Sequence, residues 1–272
     1  MLKRITLLLA ILLMACTTAG AREWNAVQGD VVDATATGPV TALSCFGKRW
    51  PVKQTADGHW HGWVGVDLKQ RPGTYDLIWS TPAGKVRDKL HVDKGSFRIS
   101  RITVEKKMAV FDAPTLARIR KEIRKLKATY TVRVDAKPAI AMRQWPVHGI
   151  ESTPFGAQRF VNGEPRAPHS GIDIAAPEGT PVIAPLAGRV LLFASMYLNG
   201  NTIVIGHGNG LISVYSHLGS TPLKEGDWVR AGERIGKVGM TGRATGPHLH
   251  WGVRFEQARV NPASLLNAPL LK

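Results

Sequence analysis

Two of the nine histidines, His248 and His250, lie in the stretch Thr245-Gly-Pro-His-Leu-His-Trp-Gly-Val-Arg-Phe255. With the period of two that a strand imposes, Leu249, Trp251, Val253 and Phe255 share one face, while His248, His250, Gly252 and Arg254 share the other. The first face is apolar and belongs in a core. The second presents two imidazoles whose Cα atoms are about 7 Å apart, a spacing that lets one hold a metal ion while its neighbour acts on what the metal binds. Proline cannot donate to a ladder and glycine tolerates unusual turns, so Gly246-Pro247 delays strand pairing and leaves the histidines near a rim.

A metal centre built on His250 needs further ligands, and His169-Ser-Gly-Ile-Asp173 offers two. Ile172, Ile174 and Ala176 mark a strand starting there, which fixes Asp173 by core packing, with His169 just ahead of it. Two imidazoles and one carboxylate leave a four-coordinate zinc with one position open to water, as catalytic zinc sites do. Such an ion keeps a formal +1, which lowers the pKa of bound water and polarises a carbonyl. Hydrolysis of an amide is the natural reaction. Residues 201–206 and 211–217 form a hairpin around His207-Gly-Asn-Gly210, since Asn-Gly supplies the positive φ a tight turn requires. Alternation puts Leu211, Ser213, Tyr215 and His217 on one face of its second strand, with His217 at the strand end. Alone, H-x-x-x-D and H-x-H are weak signals; together in one β-rich segment they are a strong one.

In this combination the chain from about Pro146 to Leu266 resembles the lysostaphin/LytM-type zinc endopeptidases that cut bacterial cell-wall peptides. The stretches that carry the resemblance are Ser152-Thr-Pro-Phe-Gly156, Arg166-Ala-Pro-His-Ser-Gly-Ile-Asp-Ile-Ala-Ala-Pro177, Gly200-Asn-Thr-Ile-Val-Ile-Gly-His-Gly208, Val214-Tyr-Ser-His-Leu218, Val238-Gly-Met-Thr-Gly-Arg-Ala-Thr-Gly-Pro-His-Leu-His-Trp251 and Asn261-Pro262. The resemblance implies that His169, Asp173 and His250 hold one Zn2+ ion. It implies that His217 and His248 are the catalytic pair, one activating water and the other steadying the developing oxyanion. The alternation of the 248–255 stretch agrees, because His248 lies beside His250, and an imidazole titrating near neutrality suits proton transfer from water to the leaving amine. Arg254 shares the histidine face and could meet a substrate carboxylate or simply be solvated. Gly206 departs from the aspartate that many relatives carry before the His-Gly pair; that position is not a ligand. The stretch 97–125 is similar, more loosely, to the segment preceding the catalytic domain in some exported members.

The elements that must hold these residues are mainly β. At 272 residues the chain exceeds the usual single domain. Its 44% apolar and 21% charged residues are those of a globular protein. From Arg22 onward, turns at Gly29-Asp30, Phe46-Gly47, Ala56-Asp57-Gly58, Arg71-Pro72-Gly73 and Pro82-Ala83-Gly84 separate short strands, predicting an N-terminal Ig-like β-sandwich over 22–95 with Trp60, Trp63, Val64, Val66, Tyr75, Leu77 and Trp79 in its core. His59 and His61 repeat the H-x-H spacing but have no third ligand nearby, and read as a polar strand face. A basic connecting segment follows over 96–144. Asp112-Ala-Pro-Thr caps a helix in it, with Leu116, Ile119, Ile123 and Leu126 at helical spacing, and Asp135-Ala-Lys-Pro138 reads as a linker. The compact β peptidase-like domain then occupies 145–272.

The formal charge of +16 implies an anionic partner. Residues 98–143 hold thirteen Lys/Arg against four Asp/Glu, so the basic helix either has a solvated face or meets anionic wall polymer or phospholipid head groups. Met1-Leu-Lys-Arg4, the apolar run 5–15 and Ala19-Gly20-Ala21 have the layout of a secretory signal over 1–21. The run is short of the roughly 20 residues a bilayer span needs. Leu13-Met-Ala-Cys16 also resembles a lipoprotein lipobox, so the expected location is the periplasm or cell envelope, with or without a lipid anchor. Either way Cys45 is left as a lone thiol, and export excludes a nucleic-acid partner. The expected partner is peptidoglycan. The function expected from all this is a zinc-dependent endopeptidase cutting peptide stems or cross-links of that polymer; the competing reading is a non-hydrolytic envelope protein that activates a cell-wall amidase. Bent turns at 226–239 resemble lipoyl or biotinyl carrier domains, but residues 240–246 offer no lysine at a hairpin tip. H-E-x-x-H and G-x-S-x-G are both absent.

Overall fold

The computed structural model describes residues 21–56, 58–135, 142 and 144–266. Residues 1–20 of the expected signal segment, with the lipobox, and residues 136–138 of the expected linker lie outside these. The fold is mainly β. In the N-terminal part, a five-stranded sheet and a three-stranded sheet share apolar side chains. Trp63, Val64, Val66, Leu77 and Trp79 are buried there as expected, the consecutive Trp63 and Val64 both being covered because their strand is enclosed on both faces, and Trp60 and Tyr75 pack partly buried against them. Cys45 is buried and unpaired, and burial pushes its thiol up to about 12. Among the described residues no helix is long and apolar enough to cross a membrane.

The C-terminal part is one large sheet whose main path runs through the strands Ile150–Thr153, Gly171–Ala175, His248–Phe255, Leu211–Ser220, Gly200–Gly206 and Gly188–Met196. The expected hairpin is present, its turn carried by positive φ at Gly208, Asn209 and Gly210. One face of this sheet buries Ile172, Ile174, Tyr215, Leu249, Trp251, Val253 and Phe255. These side chains belong to the same continuous core as those of the N-terminal sheets. Trp50 meets Phe255 with ring centroids 5.4 Å apart, Asn261 N donates to Gly29 O at 2.8 Å, and the Arg259 guanidinium forks onto the Asp67 carboxylate.

The opposite face carries the site and is half covered by the segment the sequence marks as connecting. Its strand Ile99–Ile102 pairs in parallel with Gln158–Val161, so the segment is built into the sheet system. The helix Ala113–Thr129 starts where Asp112 accepts the Thr115 N–H at 2.9 Å, with Pro114 in its first turn. Ile119 is buried and Leu126 packs, with Tyr130, against the cluster of Leu192, Met196, Val204, Ile212 and Val214. Glu122 fixes the helix further by accepting from Tyr197 N at 2.8 Å.

Candidate metal centre and active site

Register brings the first two candidate ligands together. Asp173 stands directly opposite His250, and Ala175 directly opposite His248, in the antiparallel pairing of their strands. Both side chains in such a pair point to one face. Gly171 is required at the same edge, since a Cβ there would lie 2.8 Å from the His250 ring and 2.5 Å from Trp251 O. His169 enters from the preceding loop and is pinned by two bonds, N–H to Ala157 O at 2.9 Å and Nδ1 to Pro154 O at 3.0 Å. A carbonyl only accepts, so Nδ1 carries the proton and Nε2 is left as a lone pair.

That lone pair lies 2.9 Å from Asp173 Oδ1 and 2.9 Å from His250 Nδ1, which is itself 2.8 Å from the same carboxylate oxygen. His169 and Asp173 are buried, and His250 is partly so. The three side chains are the one group of three or more potential ligands among the described residues close enough to share a metal ion. Ligands of a tetrahedral zinc are about 3.3 Å apart, so this triangle fits such an ion with little movement, and its two nitrogens and one carboxylate oxygen match the donor set of a catalytic zinc. Arg159 donates to the second carboxylate oxygen, Oδ2, at 2.5 Å, which turns Oδ1 toward the imidazoles. Burial alone would raise the Asp173 pKa, but the bonds to His169 and His250 outweigh it and hold the carboxyl far below the usual range. Burial pushes His250 down to about 4, against the pull of Asp173. Asp173 and His250 are therefore in ligating form at neutral pH.

His217 reaches the site by a route that alternation does not predict. Its neighbours Tyr215 and Ser216 stand opposite Trp251 and His250, so regular alternation would put His217 on the Trp251 side, in the core. Instead its φ is 62° and the ladder to the Gly200–Gly206 strand shifts register between Asn201 and Ile203. This left-handed residue at a bulge swings the imidazole to the histidine face. The ring then lies 4.6 Å from that of His248 and 6.3 Å from that of His250, centroid to centroid. Nδ1 of His217 donates to Thr241 O and Nδ1 of His248 to Gly246 O, each at 2.8 Å, which leaves both Nε2 atoms as acceptors. Burial, with the charge of His248 second, pushes His217 down to about 3.

The five residues line one cavity of about 490 Å³, walled by Ser100, Ile102, Arg159 and Arg243. Arg254 lies outside it. Its guanidinium stacks on Tyr130 at 4.9 Å, beneath the end of the helix, and is half buried. Gly206 is buried where a side chain would meet Val134 Cγ2 at 2.6 Å, so the departure from aspartate leaves room for the connecting segment to pass. Arg159, Thr241 and Pro154 are partners the sequence reading did not single out; each acts across a long sequence separation, and although Pro154 and Thr241 lie in stretches that carry the resemblance, nothing there marks their carbonyls as partners of a histidine.

Comparison with known proteins agrees with this geometry. The model of Peptidase family M23 matches residues 167–262. A crystal structure of an M23 peptidase from Pseudomonas aeruginosa is 34% identical and superposes with a TM-score of 0.71, covering 89% of this chain and 96% of that one. The chain belongs to peptidase family M23. Among curated proteins it is similar to the DD-carboxypeptidase/endopeptidase Mpg of Neisseria meningitidis serogroup B, 44% identical over 42% of this chain. It is also similar to the peptidoglycan DD-endopeptidase ShyA of Vibrio cholerae, 43% identical over 38% of this chain. The matched part spans only about a quarter of those relatives, 26% and 24% of their lengths.

Proposed function

We propose that the protein is a zinc-dependent endopeptidase that hydrolyses peptide stems or cross-links of bacterial peptidoglycan, in the cell envelope. The observation that carries this is the 2.8–2.9 Å triangle of His169 Nε2, Asp173 Oδ1 and His250 Nδ1 beside two imidazoles with free Nε2 atoms. A zinc ion held by the triangle supplies Lewis acidity to water and to the scissile carbonyl. His217, neutral because it is buried, accepts the proton of the attacking water at Nε2, and the Thr241 carbonyl stabilises the imidazolium through Nδ1. His217 Nε2 then passes that proton to the leaving amine, while His248, whose Nδ1 proton is held by Gly246 O, can donate from Nε2 to the developing oxyanion only in its doubly protonated form. Wall peptide is the substrate expected from the names of the similar DD-endopeptidases. The exposed basic side chains of the helix, Arg120, Lys121 and Arg124 among them, suit an anionic envelope surface.

The test is digestion of purified sacculi followed by mass spectrometry of the muropeptides, with His248→Ala as control. New peptide ends produced by the wild-type protein and absent from the control are expected. Products formed only when an amidase is added would overturn the proposal.

A further inference from the structure

Beyond Gly252 the histidine face continues to Arg254, four residues from His250 and therefore about 13 Å along the strand. Gly252 contributes no side chain between them, so the floor stays open from the metal triangle outward. A second cavity of about 490 Å³ follows this floor, bounded by His250, Gly252, Arg254 and Arg259 on the sheet side and by Ile123 and Lys127 of the helix. It shares Pro168, Ser170, Asn199 and His250 with the cavity over the metal triangle. The two make one groove with the metal site in its path.

The charge at its far end is unbalanced. Arg254 stands directly opposite Arg259 in the pairing of His248–Phe255 with Ala258–Val260, an arrangement that costs stability when both residues are cationic. One carboxylate serves the two, and Asp67 is taken by Arg259 through its backbone N at 2.8 Å and through both ends of the guanidinium. Among the described residues Arg254 has no ion pair; its guanidinium lies over the Tyr130 ring and bonds the Tyr130 side chain. Burial lowers its pKa against the pull of Tyr130 and Asp67, and Arg259 adds to the lowering. A half-buried guanidinium beside a like charge, with aliphatic Ile123 exposed across the groove, is short of an anion and has an apolar wall for the stem that carries it.

We infer that the groove beyond Gly252 is a carboxylate subsite, in which Arg254 binds a free carboxylate of the peptide a few residues from the scissile bond. Arg254 is thus a specificity-determining residue, and this extends the endopeptidase reading, on which it rests. A charge-assisted bond to a guanidinium is strong enough for discrimination of roughly tenfold or more between free and blocked carboxylates.

The probe is a set of soluble muropeptides released from purified peptidoglycan, used as they are or with their carboxylates converted to amides. Affinity is measured on zinc-loaded His248→Ala protein with and without Arg254→Gln or Arg254→Lys, and cleavage on the zinc-loaded protein carrying His248. The free form is expected to bind and be cleaved about tenfold better than the amidated form, with the preference shrinking to within about twofold in Arg254→Gln and partly kept in Arg254→Lys. Unchanged thermal unfolding of the Lys variant guards against a folding defect. Equal binding of both forms, or a preference that survives Arg254→Gln, overturns the subsite. Preferential binding with no cleavage keeps the subsite and removes the endopeptidase reading; cleavage with no preference does the reverse.

Discussion

His59-Trp-His61 and His248-Leu-His250 have the same spacing, but the first straddles the start of the strand Trp60–Gly65 while both histidines of the second lie in the strand His248–Phe255, and among the described residues only the second forms a site. In the first, His61 meets one carboxylate, Asp33, at 2.8 Å and stacks on Trp63 at 5.8 Å. Its cross-strand neighbours are Thr35 and Lys53, neither of them a metal ligand. In the second, the neighbour opposite is a carboxylate, a loop brings in a third ligand with its tautomer fixed, and an arginine turns the carboxylate. The pair of histidines is common to both; the register of the neighbouring strand decides what they do.

The widest separation of the two pairs comes from their removal. Asp173→Asn or His169→Ala is expected to lose bound zinc, by elemental analysis, and to bring wall hydrolysis to background, whereas His61→Ala changes neither. His217→Ala and His248→Ala sharpen the contrast within the site. Zinc content stays while kcat falls by about 10²–10⁴-fold, the range of acid and base catalysis.

His207 supplies a third kind of histidine, fully buried and bonded to Ala187 O and Ser213 Oγ, with burial pushing it down to about 4 from 6.5. Below pH 6.5 the unfolded chain takes this proton more readily than the folded one. Stability therefore falls as pH drops from about 6.5 to 4 and levels off below, by roughly 3 kcal/mol from this residue. Denaturant titrations at a series of pH values should show that part of the slope missing in His207→Gln. The smallest effect is expected from Arg159→Ala, which frees Asp173 Oδ2 and should weaken zinc binding about 10–100-fold, by competition with a chromophoric chelator, without abolishing it.

The β architecture, the apolar face of His248–Phe255 and the capped basic helix were legible because each rests on local periodicity and turn chemistry. So were His169, Asp173 and His250 as a ligand set, since core packing of Ile172, Ile174, Leu249 and Trp251 fixes which way the polar residues point. His217 marks the limit. It was nameable through family resemblance, but its strand face was not, because strict alternation sends it into the core and only a bulge with φ of 62° turns it round. Arg159 and the packing of Trp50 and Asp67 on the C-terminal sheet were hidden for another reason, being contacts between residues far apart in the chain. The connecting segment looked like a link from its charge, while its strand Ile99–Ile102 in fact forms part of the cavity wall.

The central claim is that one metal ion in the triangle of residues 169, 173 and 250 makes the protein a wall peptidase. It is tested most directly by stripping the metal with a chelator and adding zinc back in steps while following solubilisation of purified peptidoglycan. Activity should be absent at the start and rise to a plateau at one equivalent of zinc per chain. Hydrolysis that persists in the stripped protein, or a plateau reached only at a different stoichiometry, would contradict it.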